Sequence, residues 1–498
     1  MEKVNLMQIC VLFWVFGTLV SCAKLPNVVL IVTDDQDVVL NGMMPMKSVQ
    51  ECLAKEGATF INAFTSSPIC CPSRASILTG RYAHNHATIN NSMSGGCYGR
   101  FWRDVMEKNT LPMKLQAGGY ETFFAGKYLN DYKTTEVPLG WNHWHGLHGN
   151  SVYYNYTLTE NGKAVRYEAE YLTDILAQRS AEFLQQYDQS KPFFLMVAPP
   201  APHAPATAAQ RHENQFPEIR AKRTPNFNEP SGSLDKHWLL TMQPSRLPDE
   251  VLPELDEITR KRWKSLLAVD ELVERIYKIL KEGELLDQTF IVFTSDNGYH
   301  VGQFAQAYDK RQAYETDIRV PLVVRGPGIA AKTVVQQPVL LLDLMPTMLE
   351  WAQIPLPANL DGRSFRRDFM ANEEQQSFSR QFLVEYWGEA DAKSHSPSCK
   401  RRDSALLYGC TEDAACHCQD SKNNTYACVR RLDSAKDFLY CEFRDSQHFA
   451  EAYDLLSDPY QMHNLAFEML PSERAIYSLV LKNLTTCIGP TCRAYHSR

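Results

Sequence analysis

Asn27-Val-Val-Leu-Ile-Val-Thr-Asp-Asp-Gln36 is a largely β-branched apolar run that stops at two adjacent acids. Consecutive rather than alternating apolar positions read as a strand buried on both faces, the habit of parallel sheets. Four more runs share that character: Glu121 to Gly126, Pro192 to Ala198, Thr289 to Ser295 and Pro321 to Gly326. Between them Leu172, Ile175, Leu176 and Phe183 keep helical spacing. So do Trp263, Leu266, Leu267, Val273, Ile276, Tyr277 and Leu280, before Gly283 closes that helix. Such alternation predicts an α/β unit: a largely parallel sheet with helices on both faces, running to about residue 370.

Outward from this core the chain changes character. From Ala204 to about Thr259 it is polar and proline-rich, a loop long enough to cover a site. The polar stretch Ala371 to Arg380 reads as a boundary, and beyond it come cysteines and two candidate strands, Phe382 to Trp387 and Glu451 to Leu456. At the other end Lys3, an apolar run from Leu6 to Val20 and the small residues Ser21 and Ala23 read as a secretory signal. That run is shorter than the roughly 18 to 20 residues a membrane-spanning helix needs. The expected organisation is therefore a signal over 1–23, a catalytic unit over 24–372 and a smaller cysteine-rich unit over 373–498. A chain of 498 residues with a formal charge of −7 has no basic footprint for nucleic acid or an anionic membrane.

Of the 14 cysteines, none lies between Cys97 and Cys399, and eight crowd the last hundred residues. In an oxidising compartment these read as disulfides, in preference to a zinc site at Cys416-His417-Cys418. With Cys70, Cys71 and the two leader cysteines set aside, ten of the 14 remain for bridging. Sequons at Asn90, Asn155, Asn423 and Asn483 fit a glycosylated product of the same route.

In an open α/β sheet, ligands bind beyond the carboxyl ends of the strands. Here those ends carry Asp34 and Asp35, Asp296 and Asn297, Lys127, and, a little further on, His203. The oxygen donors suit calcium or magnesium. For either acidic pair alone, a turn or helix-cap role is the simpler account. Together with cations and a histidine at matching ends, they put a metal and an anionic substrate on equal footing with it.

Cys70-Cys71-Pro72-Ser73-Arg74 opens a short helix that Gly80 can close. The free amides and partial positive charge of such an end suit a sulfate or phosphate, and Arg74 one turn in adds a cationic fork. A buried thiol pair, or two halves of separate disulfides, fits the same spacing.

The run Cys70-Cys71-Pro72-Ser73-Arg74 with Leu78-Thr79-Gly80-Arg81 resembles the signature of the sulfatase family. Thr33 to Gln36, Gly126-Lys127, Ala201-Pro202-His203, Ser295 to Gly298, Lys310 and Asp361-Gly362-Arg363 follow that family's order along nearly the whole mature chain. The resemblance implies an alkaline-phosphatase-like sulfatase fold: a large mixed, mostly parallel sheet sandwiched by helices, plus a smaller C-terminal α+β domain with an antiparallel sheet. It implies that a formylglycine-generating enzyme converts Cys70 to formylglycine (3-oxoalanine), with Cys71 a bystander. Asp34, Asp35, residue 70, Asp296 and Asn297 would then hold one calcium ion, and Arg74, Lys127, His203 and Lys310 would surround the sulfate and the leaving oxygen.

More finely, Phe123 to Asn130, Ser295 to Phe304 and Asp309 to Glu315 resemble the branch that removes 6-sulfate from glucosamine in heparan and keratan sulfate. That implies a sulfated glycosaminoglycan substrate and lysosomal residence. The heparan 6-endosulfatases share much of the pattern but carry a long basic insert that is missing here. A phosphoester hydrolase of the same superfamily is the other alternative, and a homodimer is left open. Where many sulfatases have a histidine, Leu129 follows Lys127-Tyr128, so the base that releases sulfate is not identified by motif. His300 is expected either to touch substrate or to pack, His237, Trp238 and Glu385 are sugar-binding candidates, and His84 and His86 are expected on the surface.

Overall fold

The computed structural model describes residues 24–230, 236–369, 378–390, 394, 399, 407–410, 412–413 and 415–495. The signal segment 1–23 and the expected boundary at 372/373 lie outside the described residues.

One sheet of ten strands organises the larger unit. Its order is Thr333–Val335, Ala58–Phe60, Leu322–Arg325, Thr289–Ser295, Asn27–Thr33, Phe193–Ala198, Glu121–Gly126, His143–Leu147, Tyr156–Glu160 and Lys163–Tyr167. From Thr289–Ser295 to His143–Leu147 neighbours run parallel. Leu322–Arg325 and the last two strands are antiparallel to their neighbours, so the sheet is mixed about a parallel centre. Every residue of Asn27–Thr33 is buried, as its unbroken apolar run requires. Its side chains alternate between two cores: Val28, Leu30 and Val32 pack with Ala75, Ile77 and Leu78 of the helix Cys70–Thr79 on one face. Val29 and Ile31 face the helices Leu172–Gln186 and Leu252–Glu282 on the other.

Register makes the strand ends level. Thr33 pairs with Ser295, Ile31 with Val197, and Gly126 with Ala198, so residues 34 and 296 emerge side by side with 127 one residue behind them. Gly126 has φ 116°, and a Cβ there would stand 2.1 Å from the Ala198 carbonyl oxygen, so the residue before Lys127 must be glycine. Gly80 ends the helix Cys70–Thr79 in the left-handed conformation at φ 65°. The long helix begins at Leu252, so the irregular stretch after Ala204 is shorter than its composition suggests; Pro253 sits in the first turn, where it is tolerated.

The smaller domain is a four-stranded antiparallel sheet in the order Ser379–Tyr386, Tyr426–Asp433, Asp437–Phe443, Ala450–Asp454. The helix Pro471–Leu484 lies against it through Leu481 and Leu484. Phe382, Val384 and Tyr386 share one apolar cluster with Phe64, Ile69, Tyr82 and Ile318 of the larger unit, so the two are joined by a common core.

Among the described residues five disulfides occur: Cys71–Cys97, Cys399–Cys416, Cys410–Cys418, Cys428–Cys441 and Cys487–Cys492. This corrects the expectation for Cys71, which is a structural half-cystine, and among the described residues Cys52 and Cys70 are free thiols. Cys416 and Cys418, expected as disulfide halves, are each bridged.

Four polar residues sit elsewhere than expected. His86 is fully buried, with Nε2 3.0 Å from Ser76 Oγ. His84 and Glu385 tie the two domains together rather than facing solvent or sugar: Nδ1 of His84 lies 2.8 Å from Glu385 Oε1 and Nε2 lies 3.0 Å from the Cys487 carbonyl. His237 is buried against Phe443 and paired with Asp445 at 3.2 Å, far from a role in binding sugar, and Trp238 packs at the edge of the same cluster.

Both ring nitrogens of His84 face acceptors, which only the imidazolium satisfies in full. Burial works against that charge, but Glu385 and the Cys487 carbonyl outweigh it and raise the pKa above the usual histidine value. Its stabilisation is complete below about pH 6.5 and is lost as pH rises through the higher folded value. His84→Ala is expected to cost about 1–3 kcal/mol at pH 5 and clearly less at pH 8.5, measured by urea unfolding at both values. Equal losses at the two pH values would contradict this account.

Candidate active site

The level strand ends build a buried cluster of alternating charge. Asp34 is fully buried, and its Oδ2 accepts from Lys127 Nζ at 2.6 Å and from Ser151 Oγ at 2.5 Å. Arg74, one turn into its helix, donates from Nε to Asp296 Oδ2 at 2.8 Å and from Nη1 to the Lys127 carbonyl at 2.6 Å. Asp35 takes φ 69°, a left-handed turn held by Arg262 Nη2 donating to its carbonyl at 2.7 Å. That turn aims the Asp35 carboxylate at Asn297 Nδ2, 2.7 Å from Oδ1, and at Lys310 Nζ, 2.7 Å from Oδ2. His203 Nε2 lies 3.8 Å from the same Oδ2.

Cys70 heads its helix, fully buried, with Sγ 3.9 Å from Asp35 Oδ1. Burial raises the thiol pKa despite Lys127 and Lys310 nearby, so as a cysteine it would be an unreactive thiol. Asp34, Asp35, Cys70 and His203 each bring a donor atom within 4.8 Å of the others.

Two buried oxygens, Asp34 Oδ1 and Asn297 Oδ1, have no hydrogen-bond donor, and Arg74 Nη2 stands 3.6 Å from the former. Burial tends to protonate Asp34, but Lys127, His203, Arg74 and Lys310 overcome it and hold its pKa well below the usual value. Burial, reinforced by Asp34 and Asp35 and opposed by Arg74, pushes Asp296 up to about 7. An oxygen-rich cluster with orphan acceptors and one strained carboxylate fits a hard cation, whose charge would relieve both.

Above the cluster opens a cavity of about 420 Å³ whose lining includes Asp35, His203 and Lys310, with Asn91, Asn130, Tyr299, Asp309 and Arg311 from the larger unit and Tyr408 and Gln419 from the smaller. Asn130, Tyr299, Asp309 and Arg311 fall inside runs that carry the family resemblance but were given no role there, while Asn91, Tyr408, Gln419 and Ser151 are single loop residues with no periodic or motif signal. His300 lies behind this wall, with Nδ1 3.0 Å from Asp317 and Nε2 3.5 Å from Gln419 Oε1, so of its two expected roles it takes packing.

The sulfatase family model matches residues 26–354. The chain belongs to the sulfatase family. This sulfatase is 44% identical over 483 residues to the N-acetylglucosamine-6-sulfatase of Capra hircus, covering 95% of this chain and 85% of the relative. It is 43% identical over 491 residues to the N-acetylglucosamine-6-sulfatase of Homo sapiens, covering 96% and 88%. A solved structure of a protein in complex with its substrate D-glucosamine-2-N,6-O-disulfate superposes with a TM-score of 0.71 at 23% identity, covering 95% of this chain and 99% of that one. That likeness establishes the shared fold. Among the described residues, no helix is long and apolar enough to cross a membrane.

Lys127 is the fulcrum of charge balance, since its loss leaves Asp34 buried beside a single, longer cationic contact. Lys127→Met is expected to lower stability by about 3–5 kcal/mol in chelator-containing buffer, and Lys127→Met with Asp34→Asn to recover much of it. Urea unfolding of both variants checks this, and a double variant no more stable than the single one would refute it.

Proposed function

We propose that this sulfatase hydrolyses the 6-O-sulfate ester of N-acetylglucosamine units in heparan and keratan sulfate. The observation that carries the proposal is the placement of Cys70: a free thiol at a helix N-terminus, 3.9 Å from Asp35, ringed by Arg74, Lys127, His203 and Lys310. The 43–44% identity to two N-acetylglucosamine-6-sulfatases over almost the whole chain supports the choice of sugar and position.

In the working enzyme the Cys70 sulfur stands where the carbon-bound oxygens of hydrated formylglycine would be. That group supplies one hydroxyl to attack sulfur and a second whose deprotonation releases sulfate. Asp34, Asp35, Asp296 and Asn297 would hold calcium, which supplies positive charge to the sulfate oxygens and to the nucleophile. Arg74, Lys127 and the amides at the helix end are preset donors for the transferring group, and being already in place they need no reorganisation as charge shifts.

Lys310 and His203 divide the proton work. Burial opposes the Lys310 charge, yet Asp35 more than offsets it and lifts its pKa well above the usual value, so it is present as an ammonium able to donate to the leaving sugar oxygen. Burial and Lys310 depress His203 to about 4, and its Nδ1 faces the Ala204 carbonyl at 2.6 Å. Neutral His203 therefore keeps its proton on Nδ1 and offers Nε2 as an acceptor beside Asp35. With no histidine at Leu129, His203, one ring nitrogen of which lies within 4.8 Å of the Cys70 sulfur, is the base assigned to releasing sulfate.

Removal of the signal 1–23, glycans at Asn90, Asn155, Asn423 and Asn483, and delivery to the lysosome belong to the same reading. Asn155 and Asn483 are exposed, and Asn90 and Asn423 are half-buried.

The protein made in cells containing a formylglycine-generating enzyme is expected to release sulfate from the 6-position of a terminal N-acetylglucosamine in a heparan oligosaccharide, and to lose activity on calcium removal. The peptide holding residue 70 is expected to carry an aldehyde, read by mass spectrometry. A thiol at residue 70 in active enzyme, or release of internal sulfates only, would overturn the reading. Cys70→Ser is expected to take up sulfate once and stop, because a single hydroxyl cannot expel it; sustained turnover by that variant would contradict the two-hydroxyl mechanism.

A further inference from the structure

One wall of the cavity comes from the cysteine-rich part of the smaller domain. Leu407–Tyr408 pairs with Asp420–Ser421 as a short antiparallel ladder, and Cys410–Cys418 closes the loop between them. The ladder is tied down twice. Asp420 Oδ2 accepts from Tyr386 Oη at 2.7 Å and from the Glu389 amide at 2.8 Å, and Gln419 Oε1 meets His300 Nε2 at 3.5 Å. The staple and these anchors leave Tyr408 in an unusual state for an aromatic residue: it lines the cavity yet is 42% exposed. Arg311, gripped by Glu389 at 2.9 Å, sits 5.5 Å from its ring centroid and holds the ring against that side.

Tyr299 and Tyr308 also line the cavity, but Tyr299 is buried at 4% exposure, whereas the Tyr408 ring faces solvent beside polar side chains, which is what a pyranose requires. The sugar presents hydroxyls at its edge and C–H groups on its faces, and the latter gain by covering an aromatic plane. The other cavity residues named above offer polar groups for the hydroxyls and sulfate, and Lys310 lies in the same cavity. We propose that Tyr408 is the stacking platform for the sulfated sugar ring, held in place by the Cys410–Cys418 staple, and so a specificity-determining residue of this site. This rests on the proposed sugar sulfate substrate.

The test separates binding from turnover. In a Cys70→Ala background, calorimetry with N-acetylglucosamine 6-sulfate measures affinity without chemistry. Tyr408→Ala is expected to raise Kd about tenfold or more, and Tyr408→Phe, which keeps the ring, to stay within about threefold. Tyr408→Leu keeps the bulk without the aromatic face and is expected to bind as weakly as the alanine variant, with unchanged thermal unfolding showing that the hairpin is intact. In the Cys70 enzyme the same substitutions are expected to raise KM with little change in kcat. An unchanged Kd in Tyr408→Ala, equal weakening in Tyr408→Phe, or no binding with Tyr408 present would each overturn the assignment. Failure of the proposed function alone would show differently, as tight Tyr408-dependent binding with no sulfate released by the Cys70 enzyme.

Discussion

Everything at this site depends on burying three carboxylates beside three cations at one end of a sheet. Charges without water are tolerated only where partners are close and remaining lone pairs are occupied. Asp34 meets that condition through Lys127 and Ser151, Asp35 through Lys310 and Asn297, and Asp296 through Arg74. The pairs are crossed, each joining one segment to another, so no single element can shift without exposing an unbalanced charge. The condition is not met for Asp34 Oδ1 and Asn297 Oδ1, and those two orphans mark where a cation fits.

The parallel centre of the sheet is what makes such crossing feasible. Parallel strands deliver their carboxyl ends to the same edge, and the register brings residues 34 and 296 level and 127 within one residue of them. The helix Cys70–Thr79 adds a further directed element, with its amino end and Arg74 pointed into the same space. Buried thiol, cationic ring and orphan oxygens thus arise from one topological fact rather than from separate devices.

The smaller domain completes the pocket. It contributes Tyr408 and Gln419 to the wall, and its Glu389 and Asp420 steady Arg311 next to Lys310. A shared apolar cluster and the His84 bridge keep it in register with the larger unit. The bridges Cys399–Cys416 and Cys410–Cys418 then cross-link the part of the chain that carries Tyr408.

The sequence by itself determined the strands, because unbroken apolar runs such as Asn27 to Thr33 have no other stable use, and the signature helix, because Pro72 and Gly80 mark its ends. It also determined the acids and cations at the strand ends, since strand direction alone places them together. Only tertiary structure decided the rest. Cys71 pairs with Cys97, and Cys52 stays free, because bridging depends on which sulfurs meet in space. His237 and Glu385, sugar-binding candidates in sequence, are buried by partners hundreds of residues away or on the facing domain, Asp445 for the first and His84 for the second. Tyr408 and Gln419 reach the cavity through a stapled hairpin whose position no local pattern encodes. Local physics dictates secondary structure and the directions of its ends; which distant side chains then share a cavity is set by packing, and packing is not periodic.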